Sequence, residues 1–186
     1  MGMVTADSSI TTIDRLLSLP EDGLLHELLD GVHVVTPSPA LVHQLVHAEL
    51  EFRLRAFVIE RKNLMLFYAP SDVRLGPDTL VQPDITVVPI DPNDRPRNWS
   101  ELKTPVLLVE IVSPGTVARD RGVKRELYQR AGIDEYWIVD IDARLIERWR
   151  PADERPEILR TTIAWQPHPD SEKLAIELKG LFAVAD

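Results

Sequence analysis

Leu107-Leu108-Val109-Glu110-Ile111-Val112-Ser113-Pro114 is an apolar, β-branched run with one carboxylate at its middle. Such residues favour a strand, and a run this apolar belongs at the centre of a sheet. An unpaired carboxylate buried there would cost on the order of several kcal/mol, so Glu110 needs a partner. Pro114-Gly115-Thr116 turns the chain into a charged helical stretch that ends at Ala131, with Gly132 as its C-terminal cap.

A second strand is read upstream, in Val81-Gln82-Pro83-Asp84-Ile85-Thr86-Val87-Val88. Side chains alternate across a strand, so Asp84, Thr86 and Val88 share one face, and Leu108, Glu110 and Val112 share another. If the two strands are neighbours, Asp84 and Glu110 converge. Two adjacent carboxylates repel and need a cation, a shared proton or a basic side chain. Hard oxygen donors with room for water and phosphate suit Mg²⁺ or Mn²⁺. In the helix that follows, Asp120, Lys124 and Tyr128 recur every four residues and line one side. Lys124 can point back at the sheet, where it would orient a water or stabilise charge on a phosphate. To act as a base it would need burial to lower its pKa.

Working outward, Thr11 to Leu19 has a helical pattern that ends at Pro20. Leu24–Leu29, Asp30-Gly31 and Val32–Val35 read as a tight hairpin. Beyond Pro37 and Pro39, Leu41 to Lys62 is the longest helix, with an apolar stripe through Val42, Leu45, Val46, Leu50, Leu54, Phe57 and Val58. Leu64–Ala69 and Asp72–Leu75 are short strands, and 91–104 is a proline-rich loop. Glu135–Asp140, Arg144–Arg150, Glu157–Ile163 and Leu174–Leu178 complete the strands. Residues 1–10 are polar and expected to be flexible. The order helix, hairpin, helix, strands, helix, strands gives an α/β fold with a mixed central sheet flanked by helices. With no linker or repeat, the 186 residues are expected to form one domain.

The chain has 44% hydrophobic residues, a net charge of -9 and no cysteine. Disulfides, thiolate zinc sites and cysteine nucleophiles are excluded. No segment reads as a membrane span or signal peptide, so a cytoplasmic location is expected. The acidic balance argues against general nucleic-acid binding but leaves room for a local basic groove. Arg119, Arg121, Lys124 and Arg125 form one basic cluster, and Arg53, Arg55, Arg61 and Lys62 another. Taken by itself, each cluster reads first as a solvated helix face. His43 and His47 have zinc-peptidase spacing, but Gln44 stands where that motif needs glutamate. Ser113 lacks hydrolase partners, and Pro114-Gly115 lacks the Gly-Lys-Ser/Thr ending of a phosphate loop.

Several stretches together resemble the Uma-two (Uma2) family, within the PD-(D/E)XK restriction-endonuclease-like superfamily. They are Glu27-Leu28-Leu29-Asp30-Gly31, Pro37-Ser38-Pro39 with His43, Gln82-Pro83-Asp84, Val109 to Pro114, Asp120 with Lys124 and Tyr128, and Gly132 to Asp140. The resemblance implies a restriction-endonuclease-like core and divalent-metal-dependent hydrolysis of DNA. It implies Asp84 and Glu110 as metal ligands, Lys124 as the catalytic lysine and Glu27 as a further acid. His43, Asp120 and Tyr128 are expected at the substrate. The usual motif has lysine two residues after the acid; here that position is Val112, and Lys124 is its inferred replacement. Cutting both strands needs two sites, so a homodimer is expected. The alternative is a nuclease-fold homodimer that binds nucleic acid or assembles, with weak or absent catalysis.

Overall fold

The structure is a computed structural model that describes residues 7–36 and 38–186. Residues 1–6 of the expected flexible stretch, and Pro37, lie outside the described residues. Ile10 is buried with Ile13 and Leu16 of α1 (Ile13–Leu17) against Leu28 and Leu80.

The hairpin forms as its Asp-Gly signal requires. Strands β1 (Leu25–Leu29) and β2 (Val32–Thr36) pair antiparallel around Asp30 and Gly31, at φ 49 and 77. Both turn residues sit in the left-handed region that a tight two-residue hairpin demands. The long helix α2 runs from Leu41 to Ile59, ending before the expected Lys62. It is followed by β3 (Leu64–Tyr68) and β4 (Val73–Arg74).

The strand expected over residues 81–88 is two strands. β5 (Leu80–Val81) pairs with β1 and β4 in one sheet, and β6 (Ile85–Pro89) pairs with β3 in another. Pro83 has no N–H for a ladder, so the chain changes sheets at Gln82-Pro83-Asp84. β7 (Leu107–Val112) is buried along its length and lies between β6 and β8 (Glu135–Asp140). β9 (Leu145–Trp149) and β10 (Glu157–Leu159) extend the sheet to the order β10-β9-β8-β7-β6-β3. Only β7 and β8 are parallel in it. The helical crossover between them comprises α3 (Val117–Arg119), a π segment (Asp120–Lys124) and α4 (Arg125–Arg130). Gly132 at φ 72 closes α4, and Ile133 N donates to Tyr128 O at 3.1 Å.

One face of the six-stranded sheet packs on Val46, Leu50, Leu54 and Val58 of α2. That layer also takes in β11 (Thr162–Trp165), β12 (Leu174–Glu177) and α5 (Leu178–Phe182). α5 was not expected. The single strand expected over 157–163 is split between β10 and β11, which belong to different sheets. The opposite face carries Leu108, Val112 and Ile138, and packs on Leu29, Val73 and Val81 of the four-stranded sheet and on Leu127 and Tyr128 of α4. The expected α/β fold with a mixed central sheet flanked by helices is therefore present. Among the described residues no helix is long and apolar enough to cross a membrane.

Candidate active site

The β6–β7 register sets Ile85 opposite Val109. One step further brings Asp84 level with Glu110, where β6 has just begun. Asp84 is anchored there by Ile111 N, which donates to its Oδ2 at 2.7 Å. His43 Nε2 of α2 lies 3.3 Å from the same oxygen, and His47 Nε2 lies 2.9 Å from the Asp84 carbonyl. Val112, at the usual lysine position, packs with Leu108 and Ile138 and offers no charge.

Glu110 is 6% exposed and finds its partners on the crossover helix. Lys124 Nζ donates to Glu110 Oε1 at 2.7 Å, and the Tyr128 hydroxyl donates to the same oxygen at 2.9 Å. Lys124 is itself 1% exposed and lies 2.8 Å from Oε1 of Glu27, which also accepts Gln82 N at 2.8 Å. One ammonium thus ties β1 to β7, and the backbone at the sheet change completes the bracket. The π turn starts on Asp120 and ends on Lys124, both buried. Widened turns of this kind recur at functional sites.

Most of these groups line a cleft of about 630 Å³ between the hairpin, the start of α2 and the crossover helix. Its polar wall holds Glu27, His43, Gln82, Asp84, Glu110, Arg119, Asp120 and Lys124; Val32, Val34 and Val42 supply part of the apolar wall. Of seven buried side-chain atoms without a hydrogen-bond partner among the described residues, four belong to this wall: His43 Nδ1, Gln82 Oε1, Arg119 Nε and Asp120 Oδ1. Two of the four, Arg119 Nε and Asp120 Oδ1, face each other as an ion pair at 3.7 Å.

Burial would push the Lys124 ammonium down, but Glu110, Glu27 and Asp120 outweigh it and raise its pKa. Burial raises Glu110 well above the ordinary carboxylate range, and Asp120, Asp84 and Glu27 add to it against the pull of Lys124. Burial also raises Asp120. For His43, burial is overcome by its hydrogen bond and charge attraction to Asp84, and the pKa rises. The acids around Lys124 thus favour its ammonium form. Tyr128, raised by burial and by Glu110, remains a phenol donor.

Four carboxylates, Glu27, Asp84, Glu110 and Asp120, share the cleft with two permanent cations, Lys124 and Arg119. Arg119 Nη2 stands 3.9 Å from Glu27 Oε2, and it donates to Thr36 Oγ1 at 3.0 Å. Asp84 and Glu110 each commit one oxygen to protein donors. Their other oxygens take no hydrogen bond from the described residues. Among those residues no three His, Asp or Glu side chains form a ready cation cage. A small hard cation of the Mg²⁺ class keeps several waters, shares substrate phosphate and needs only one or two carboxylates from the protein.

The expected site residues Glu27, His43, Asp84, Glu110, Asp120 and Lys124 all meet at this cleft. Tyr128 does not line it. The residue is fully enclosed, packs edge-on against Tyr136 at 4.7 Å between centroids, and spends its hydroxyl on Glu110. The substrate contact expected of Tyr128 is thereby replaced by support of Glu110 from behind. Tyr128→Phe should cost about 1–2 kcal/mol in chemical denaturation, because a buried carboxylate oxygen loses a donor; unchanged stability would remove this role. Gln82 and Arg119 also line the cleft; the sequence names them only within the Gln82-Pro83-Asp84 stretch and the basic cluster, with no role at the site. The basic cluster offers little free charge, since Arg121 is held by Asp140 and Glu147 and Arg125 by Glu126 and Gln129.

A family model, Uma2, described as "Putative restriction endonuclease", matches residues 13–179. A solved structure described as a putative nuclease belonging to DUF820, from Anabaena variabilis ATCC 29413, is 26% identical with a TM-score of 0.74. The alignment covers 94% of this chain and 98% of that one. A search of curated proteins finds no match.

Proposed function

The chain belongs to the Uma2 family, and from that premise we propose that it is a divalent-metal-dependent endonuclease that hydrolyses DNA phosphodiester bonds. What carries the proposal is the meeting of Asp84, Glu110 and a buried Lys124 ammonium in one cleft. Four acidic side chains against Lys124 and Arg119 leave the cleft short of positive charge for a phosphodiester.

Asp84 and Glu110 would hold a cation of the Mg²⁺ or Mn²⁺ class through their open oxygens, and it would supply charge neutralisation, phosphate polarisation and a more acidic water. The chain's own residues do the rest. Ile111 N and His43 fix the Asp84 carboxylate; Lys124 and Tyr128 fix that of Glu110. Lys124 has three N–H donors and spends two on Glu110 and Glu27, leaving one for a phosphate oxygen as charge builds on it. Glu27 anchors that ammonium, and Asp120 adds to the field that keeps it charged. His43 and Arg119 line the same cleft and would meet the flanking phosphate backbone.

The test is incubation of supercoiled plasmid with purified protein and Mg²⁺ or Mn²⁺. Nicked or linear products that need the cation and stop with EDTA are expected. Intact DNA under every cation, from a folded protein that also shows no Mn²⁺ binding by calorimetry, would overturn the proposal.

A further inference from the structure

The inner face of α2 serves the core and the cleft, but its outer face is also apolar. Leu41, Leu45, Phe52 and Ile59 are 76%, 43%, 66% and 74% exposed. Ala48 and Ala56, also exposed, sit one turn to either side of Phe52. Single exposed apolar side chains are ordinary, but here they form one stripe along a helix of about 28 Å. The stripe is symmetric about Phe52: Ala48 and Ala56 lie four residues away, and Leu45 and Ile59 seven.

The charges beside the stripe obey the same centre, in the order Glu49, Glu51, Phe52, Arg53, Arg55. Glu49 and Arg53 share one flank and are paired at 2.6 Å; Glu51 and Arg55 are paired on the other. In an antiparallel helix pair with its two-fold axis at Phe52, each flank meets its own copy. Glu49 of one chain then comes within ~3 Å of level with Arg53 of the other, and Glu51 with Arg55, so each flank gains two opposite-charge neighbours across the seam against one like-charge pair at the axis, Arg53 or Glu51 beside its own copy. A parallel pair would set Glu49 beside Glu51 and Arg53 beside Arg55, which repels. We infer that this face of α2 is a homodimer interface, in which two copies pack antiparallel across Phe52. The inference needs no catalysis at the cleft, and its test leaves the nuclease proposal untouched.

Light scattering should give the wild-type chain a mass twice 21.1 kDa. Phe52→Asp should raise the dimer dissociation constant at least ~30-fold, as expected for an aromatic hot spot at the axis, with the circular dichroism spectrum unchanged. The chain has no cysteine, so single cysteines report the register cleanly. Phe52→Cys should oxidise to a disulfide with its own copy, and Leu45→Cys should cross-link to Ile59→Cys in a mixture. A monomeric wild type, a dimer undisturbed by Phe52→Asp, or preferential Leu45→Cys self-linking would each overturn the inference.

Discussion

Lys124→Ala should lower the free energy of unfolding at neutral pH by about 3–5 kcal/mol, the usual cost of breaking a buried ion pair by removing one partner. The ammonium is enclosed between Glu110 and Glu27, themselves 6% and 2% exposed. Without it, the two carboxylates keep only Arg119, 3.9 Å from Glu27, as a permanent counter-charge. The loss should depend on pH in a definite sense. Burial already raises the pKa of Glu110, and deleting Lys124 raises it further. A carboxyl whose folded pKa lies above its unfolded value favours folding while protonated, and that contribution is lost as pH rises through the folded pKa. The deficit of the variant should therefore be largest at neutral pH and narrow on acidification toward the unfolded carboxyl range. Urea melts of wild type, Lys124→Ala and Lys124→Met across that interval measure it. A deficit under about 1 kcal/mol, or one that grows on acidification, would mean that Lys124 does not hold the acids together.

Asp84→Asn should abolish cation-stimulated cleavage while leaving the fold intact. The amide oxygen still accepts from Ile111 N, so the hydrogen bond at 2.7 Å survives while the charge goes. The expected fall in cleavage rate is at least ~100-fold, since removal even of an outer-shell partner costs 10–100-fold. Mn²⁺ affinity measured by calorimetry should fall with it. Glu110→Gln should act in the same direction. Full cleavage in both variants would remove the two carboxylates from the site.

Much of this site is legible in the sequence because its chemistry violates local rules. Glu110 stands out as a charge in an otherwise apolar strand, and Lys124 stands at four-residue spacing from Asp120 and Tyr128. Asp30-Gly31 marks its hairpin because few other residue pairs accept two positive φ angles. Other features leave no such mark. The anchor of Asp84 is a backbone N–H of Ile111, which every residue but proline possesses. The sheet change at Pro83 hides inside a run that is apolar on both sides, although proline's missing donor is the signal that could have revealed it. No residue pattern in the sequence marks the π turn over Asp120–Lys124. α5 buries Leu178, Leu181 and Phe182 at helical spacing, but Gly180 weakens its helical signal and it follows a strand without a break. Tyr128 shares a helix side with Lys124, and only its packing against Tyr136 shows which of the two reaches the cleft.

The most direct measurement is a crystal structure after soaking with Mn²⁺, with anomalous data collected at the manganese edge. The account predicts one strong peak within coordination distance of both Asp84 and Glu110, with Lys124 still bridging Glu110 and Glu27 beside it. No peak in that cleft from a crystal of intact, folded protein, or a lysine swung away from both glutamates, would contradict it.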